Sequence, residues 1–125
     1  NASRMVKYFF DSYAVVEIIK GNPLYARYIQ EVVTITLFNL AEIYWSALND
    51  LGDEEAEEIY EHYRQSVVDI DDKVLKEAIK FRKQHKNKDL SYTDYIGYVY
   101  SIKHNLIFLT GDKEFINLGN VEFVK

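Results

Sequence analysis

The feature that most narrows the fold is an alternation. Short runs rich in β-branched and aromatic residues recur at 6–10, 32–35, 67–70, 106–109 and 121–124. Helical apolar patterns fill the gaps at 13–20, 36–50, 53–65, 71–86 and 91–105, with a shorter one at 23–30. Gly21-Asn22-Pro23 and Leu51-Gly52-Asp53 supply the breaks, each with a glycine where a helix end favours a left-handed residue. Strands that alternate with helices predict an α/β domain with a mainly parallel sheet, because helical crossovers join parallel neighbours and cover both faces. In such a sheet, sites are built beyond the carboxyl ends of the strands. That rule selects the residues worth attention.

Composition sets the outer bounds. The 125 residues are enough for one compact core and too few for two ordinary domains, so residues 5–125 are read as a single domain. Asn1 to Arg4 precede the only methionine, Met5, and are expected to be an expression scar or an extended start. There is no cysteine, so any metal would be held by carboxylates, imidazoles or water. No apolar run approaches the ~20 residues that span a bilayer, and no basic-then-apolar leader opens the sequence, which makes the cytoplasm the expected compartment and excludes a membrane partner. A net charge of -5 argues against general electrostatic affinity for nucleic acid. It leaves room for a local basic patch, and Lys80, Arg82, Lys83 and Lys86 form one that could contact phosphates. The ordinary reading of that patch, and of the acidic block 53–58, is a solvated helix face.

Four carboxylates stand out by position. Asp11 follows the strand run 6–10 at once, and Asp112 follows 106–109 after Thr110-Gly111. Read alone, each serves equally well as a helix cap. Glu42 belongs to a helix whose polar residues are Asn39, Glu42, Ser46 and Asn49, a stripe roughly 80° wide at 100° per residue. The rest of that helix is apolar, so it is expected to be buried nearly all round, with the stripe facing solvent or a polar cleft. Asp94 lies on a similar stripe with Gly97, Ser101 and His104, whose small residues would let another backbone approach, and Ser91-x-x-Asp94 has the spacing of a capping box. If the four acids converge, each pair at about 5 Å repels by roughly 3 kcal/mol at an effective dielectric near 20. A hard divalent cation, Mg²⁺ or Mn²⁺, is the usual compensation for clustered oxygens. Such ions activate water and steady the charge that develops on a phosphodiester.

These residues resemble a known family. Tyr8-Phe9-Phe10-Asp11-Ser12 is similar to the opening strand and acid of PIN domains, and Asn39-Leu40-Ala41-Glu42 to their helical glutamate. Leu90-Ser91-Tyr92-Thr93-Asp94 and Leu109-Thr110-Gly111-Asp112-Lys113-Glu114-Phe115 resemble the settings of their last two acids. The single-domain size looks most like the VapC-type toxins of toxin-antitoxin pairs. The resemblance implies a three-layer α/β/α fold with a parallel five-stranded sheet, and a ribonuclease site dependent on Mg²⁺ or Mn²⁺. It also implies a homodimer and inhibition by a cognate antitoxin. Residue by residue it carries catalysis and metal binding onto Asp11, Glu42, Asp94 and Asp112, with supporting hydroxyls at Ser12 and Thr110. Tyr13, Tyr95 and Gly97 depart from the usual pattern.

Other functions compete. An RNA-processing nuclease would use the same acids as a toxin. A noncatalytic interaction module would use the acidic helix from Asp53 and the tyrosine-rich helix from Ser91 as its surfaces. A nucleotide-binding enzyme ranks last, since Gly-x-Gly-x-x-Gly and Gly-x-x-x-x-Gly-Lys-Ser/Thr are both missing. His62, His85 and His104 have no ligand spacing between them and are assigned no catalytic role.

Overall fold

In the computed structural model, which describes residues 5–125, the expected strands form five short segments: β1 (Tyr8–Phe10), β2 (Ile35–Thr36), β3 (Val67–Val68), β4 (Ile107–Thr110) and β5 (Val121–Phe123). The five helical patterns become α1 (Ser12–Ile19), α2 (Leu37–Leu51), α3 (Asp53–Arg64), α4 (Asp72–Gln84) and α5 (Tyr92–Lys103). The pattern at 23–30 is a 3₁₀ helix, Pro23–Tyr28, begun by the Asn22 side chain and a proline in its first turn. Asn1 to Arg4, expected to be a scar or an extended start, lie outside the described residues.

All strand pairs are parallel, but they form two sheets rather than one of five strands. One has the order β1-β4-β5 and the other pairs β2 with β3. The two meet where the Phe10 amide donates to the Thr34 carbonyl at 2.9 Å, so β1 lies between β2 and β4. The cause is local. The run expected at 32–35 pairs only at its end: Val32, at its start, is 83% exposed, and Thr36, just beyond it, already caps α2.

Alternation along the strands sorts the core into two layers. Tyr8 and Phe10 of β1 and Leu109 of β4 face α1, the 3₁₀ helix, α2 and α3, where they meet Val15, Tyr25, Ile35, Leu40 and Ile43. Phe9 and Phe108 face the other way, stacked on each other at 5.7 Å and packed under α4 and α5. The sheet is therefore covered on both faces, giving the three layers expected.

Two expectations about helix faces need correction. The stripe of α5 points into the core. A Cβ at Gly97 would stand 2.7 Å from Phe9 Cε1, so the small residue admits an aromatic ring and not a backbone. Ser101 is buried and spends its hydroxyl on the Gly97 carbonyl, and His104 lies exposed. Helix α2, in turn, is not buried nearly all round: Leu40, Ile43 and Ala47 are covered, but Leu37, Phe38, Trp45 and Leu51 are 53%, 46%, 69% and 40% exposed. No helix among the described residues is long and apolar enough to cross a membrane.

Candidate functional site

The carboxyl ends of β1 and β4 lie side by side, and this brings Asp11 and Asp112 together from opposite ends of the sequence. Asp11 leaves β1 with its amide still bonded to Leu109, 3.0 Å, then caps α1. One carboxylate oxygen accepts from the Ser12 amide at 2.8 Å and the other from the Thr110 hydroxyl at 2.6 Å. The residue is 3% exposed. Asp112 starts the short turn after β4, accepting from the Glu114 amide, while its own amide donates to Thr110 Oγ1, both at 3.0 Å. Thr110 thus links the two acids.

Glu42 and Asp94 arrive from helices. Thr36 ends β2 and caps α2 in a capping box with Asn39, a buried residue whose side chain then donates to Ser12 Oγ at 2.9 Å. Ser12 donates onward to Glu42 Oε1 at 2.6 Å. Side-chain donors run from the Thr36 hydroxyl to Asn39, from the Asn39 amide group to Ser12 and from Ser12 to Glu42, while the Asn39 backbone amide donates back to Thr36. Asp94 closes the capping box of α5, accepting from the Ser91 amide at 2.8 Å.

Charge ties the four together. Burial pushes the Asp11 carboxyl up to about 8, with Asp94 and then Glu42 adding to the rise against the bonds from Thr110 and Ser12. Asp94 is raised first by burial, then by Asp112 and Asp89, against its bonds to Ser91. Glu42 is raised by desolvation at the cleft, opposed by Ser12 and helped by Asp94. The ion pairs among the described residues, Lys20 with Glu17 and Lys103 with Glu77, involve none of the four. A buried carboxylate crowded by like charge and outside every ion pair among the described residues is an environment that suits a cation. The donors are all oxygens, which fits a hard divalent ion. As placed, each acid is turned toward its own capping or hydroxyl partner, and no group of three among the described residues is set to hold one ion.

Of the other sequence candidates, Ser12 and Thr110 sit within the cluster. Lys80, Lys83 and Lys86 are exposed on or just beyond α4 and make no hydrogen bond or ion pair with the four acids. Arg82 lies over the Tyr92 ring at 4.3 Å, at the start of α5. The histidines sit apart from the acids, with His85 stacked on Phe81 and His104 on Tyr100. In the sequence Asn39 stands out only as part of a polar stripe and of the segment leading to Glu42. Its spacing, three residues after Thr36 and three before Glu42, was the available signal that it connects the cap to the acid.

Comparisons with known proteins identify the family and the fold. The family model of the PIN domain matches residues 8–121. No curated protein matches the sequence. Among solved structures, VapC20 of Mycobacterium tuberculosis, described as a sarcin-ricin loop cleaving toxin, superimposes with a TM-score of 0.78 at 17% identity, covering 94% of this chain and 97% of that one. A toxin-antitoxin complex from Klebsiella pneumoniae gives 0.73 at 16% identity over 93% and 96% of the two chains. DNA-bound VapBC from Salmonella typhimurium gives 0.71 at 16% over 96% and 98%. These likenesses show the fold, and the family match places all four acids inside its bounds: the chain belongs to the PIN-domain family.

Proposed function

We propose that this PIN domain is a divalent-metal-dependent endoribonuclease that hydrolyses RNA phosphodiesters, and that it is the toxin of a type II toxin-antitoxin pair. The observation that carries the reading is the cluster of Asp11, Glu42, Asp94 and Asp112 at the carboxyl edge of the sheet, which makes no ion pair among the described residues, with Asp11 pushed up to about 8. Those four carboxylates would hold Mg²⁺ or Mn²⁺, which when bound supplies Lewis acidity and an activated water. The chain's own groups do the rest. Thr110 and the Ser12 amide fix both oxygens of Asp11, and the chain of bonds through Asn39 and Ser12 aims Glu42 at the cleft. The toxin role is supported by the VapC and VapBC neighbours, and a homodimer and a protein antitoxin are the partners it entails.

The test is cleavage of single-stranded RNA with Mg²⁺ or Mn²⁺. Wild type is expected to cut and Asp11→Asn to be inactive; equal activity in the two would sink the assignment. A noncatalytic interaction module is the second reading, and it draws on the acids' being turned to separate partners. Calorimetric titration with Mn²⁺ separates the two, since a module would show no divalent binding at this cluster.

A further inference from the structure

A cavity of about 570 Å³ opens between α1 and α2, directly beside the acid cluster. Ser12 and Glu42 line it, Tyr13 and Trp45 contribute aromatic rings, and Lys20 lines it together with Glu17, to which it is paired at 3.9 Å. Its volume falls in the range of small-molecule sites. Tyr13 also lines a second depression on the other side of the cluster, with Gly111, Asp112, Lys113 and Lys125. The Tyr13 ring is therefore a partition between two openings that both reach the acids.

That ring is fixed in place. Any Cβ at Gly111 would overlap it and the Val124 carbonyl, so glycine is what lets the ring lie against the end of β4. From behind it is braced by Tyr25, centroids 6.4 Å apart. Trp45 is free by contrast, 69% exposed on the outer face of α2. Aromatic faces beside a backbone-cleaving centre, with cations beyond them on both sides, make the pattern by which proteins grip single-stranded nucleic acid: bases stack on rings and phosphates meet lysines. A duplex cannot offer a base face to either ring.

Resting on the nuclease reading above, we propose that Tyr13 and Trp45 form a base-stacking subsite, which seats an unpaired nucleobase of the RNA next to the scissile phosphate. Lys20 on one side and Lys113 and Lys125 on the other would meet the flanking phosphates.

Trp45 is the only tryptophan, so its fluorescence reports on the cavity directly. The experiment uses the Asp11→Asn protein with Mg²⁺, which keeps the strand intact, and titrates a short single-stranded RNA oligonucleotide. Saturable quenching is expected with that strand, and none with the same sequence as a duplex or with an abasic strand. With a dye-labelled strand read by anisotropy, Tyr13→Leu is expected to weaken binding about tenfold and Trp45→Leu comparably, as for loss of one stacked base, while Tyr13→Phe keeps it. Trp45 is too exposed for its loss to be a folding defect. Equal binding of the abasic strand, or unaltered binding and cleavage in both leucine variants, would overturn the subsite, the second result leaving the cavity to a polypeptide. Base-dependent quenching in a wild-type protein that cuts no RNA would keep the subsite and remove the nuclease reading.

Discussion

Asp11 and Glu122 are both carboxylates set against the sheet, and their neighbours could hardly differ more. Glu122, on β5 opposite Leu109, accepts from the Tyr8 hydroxyl at 3.3 Å and from the Tyr28 hydroxyl. Arg27 lies over the Tyr28 ring at 5.0 Å, and its charge acts on both tyrosines against the pull of burial and of Glu122. This is a network of matched donors and acceptors, which pins the 3₁₀ helix to the sheet edge. Asp11 has two donors as well, but its next neighbours are Asp94 and Glu42. The difference separates a carboxylate met by tyrosine hydroxyls near an arginine from one whose further neighbours carry its own charge.

That contrast breaks if the two acids respond alike. The largest expected effect is loss of RNA cleavage in Asp11→Asn by more than about a hundredfold, since even partners one step removed from a metal cost 10–100-fold. The same substitution should stabilise the metal-free protein in a pH-dependent way. Because the folded Asp11 holds its proton up to about 8 while the unfolded one loses it near 3.8, wild type loses stability as pH rises through that interval. Thermal melts without divalent ions should show wild type falling between pH 5 and 8, on the scale of that shift, and Asp11→Asn holding level; parallel curves would mean Asp11 is not strained.

Next in size is Asn39→Ala. Cutting the bonds that aim Ser12 at Glu42 should lower Mn²⁺ affinity about tenfold, the effect of removing an outer-shell partner, measured by calorimetry alongside a stability loss of about 1 kcal/mol from the missing cap. The smallest functional effect belongs to Tyr28→Phe. It should cost about 1–2 kcal/mol in urea unfolding, as expected for a hydrogen bond to a charged acceptor, and leave RNA cleavage unchanged. A fall in its cleavage rate would show that the two regions are coupled after all.

How far the sequence discloses these regions follows from range. Helix existence and type were legible because periodicity and caps are local: Ser91-x-x-Asp94 reads as a capping box and is one. Strand β2 was placed too early because Val32 and Val33 carry a strand composition, whereas pairing with Val67 and Val68 involves only Ile35 and Thr36. The four acids could be nominated from the strand-end rule, but the links between them are tertiary. Nothing near Thr110 says that its hydroxyl meets Asp11. The exposure of Trp45 was illegible for a different reason, since an apolar pattern does not distinguish a core ring from one left open to solvent. Nothing near Glu122 in the sequence marks it, because its tyrosine partners lie 94 and 114 residues away.

The bond from Thr110 to Asp11 spans 99 residues, and it closes over a parallel strand pair whose two members lie near opposite ends of the described chain. Contacts of such long sequence separation are slow to form. During synthesis, β1 and Asp11 emerge early and must wait for nearly everything else before β4 can dock. Under the proposed activity, a chain made only through α3 beside the ribosome's own RNA carries Asp11 and Glu42 without Asp94 and Asp112. The topology works as a timer, keeping the proposed site incomplete until β4 has been made.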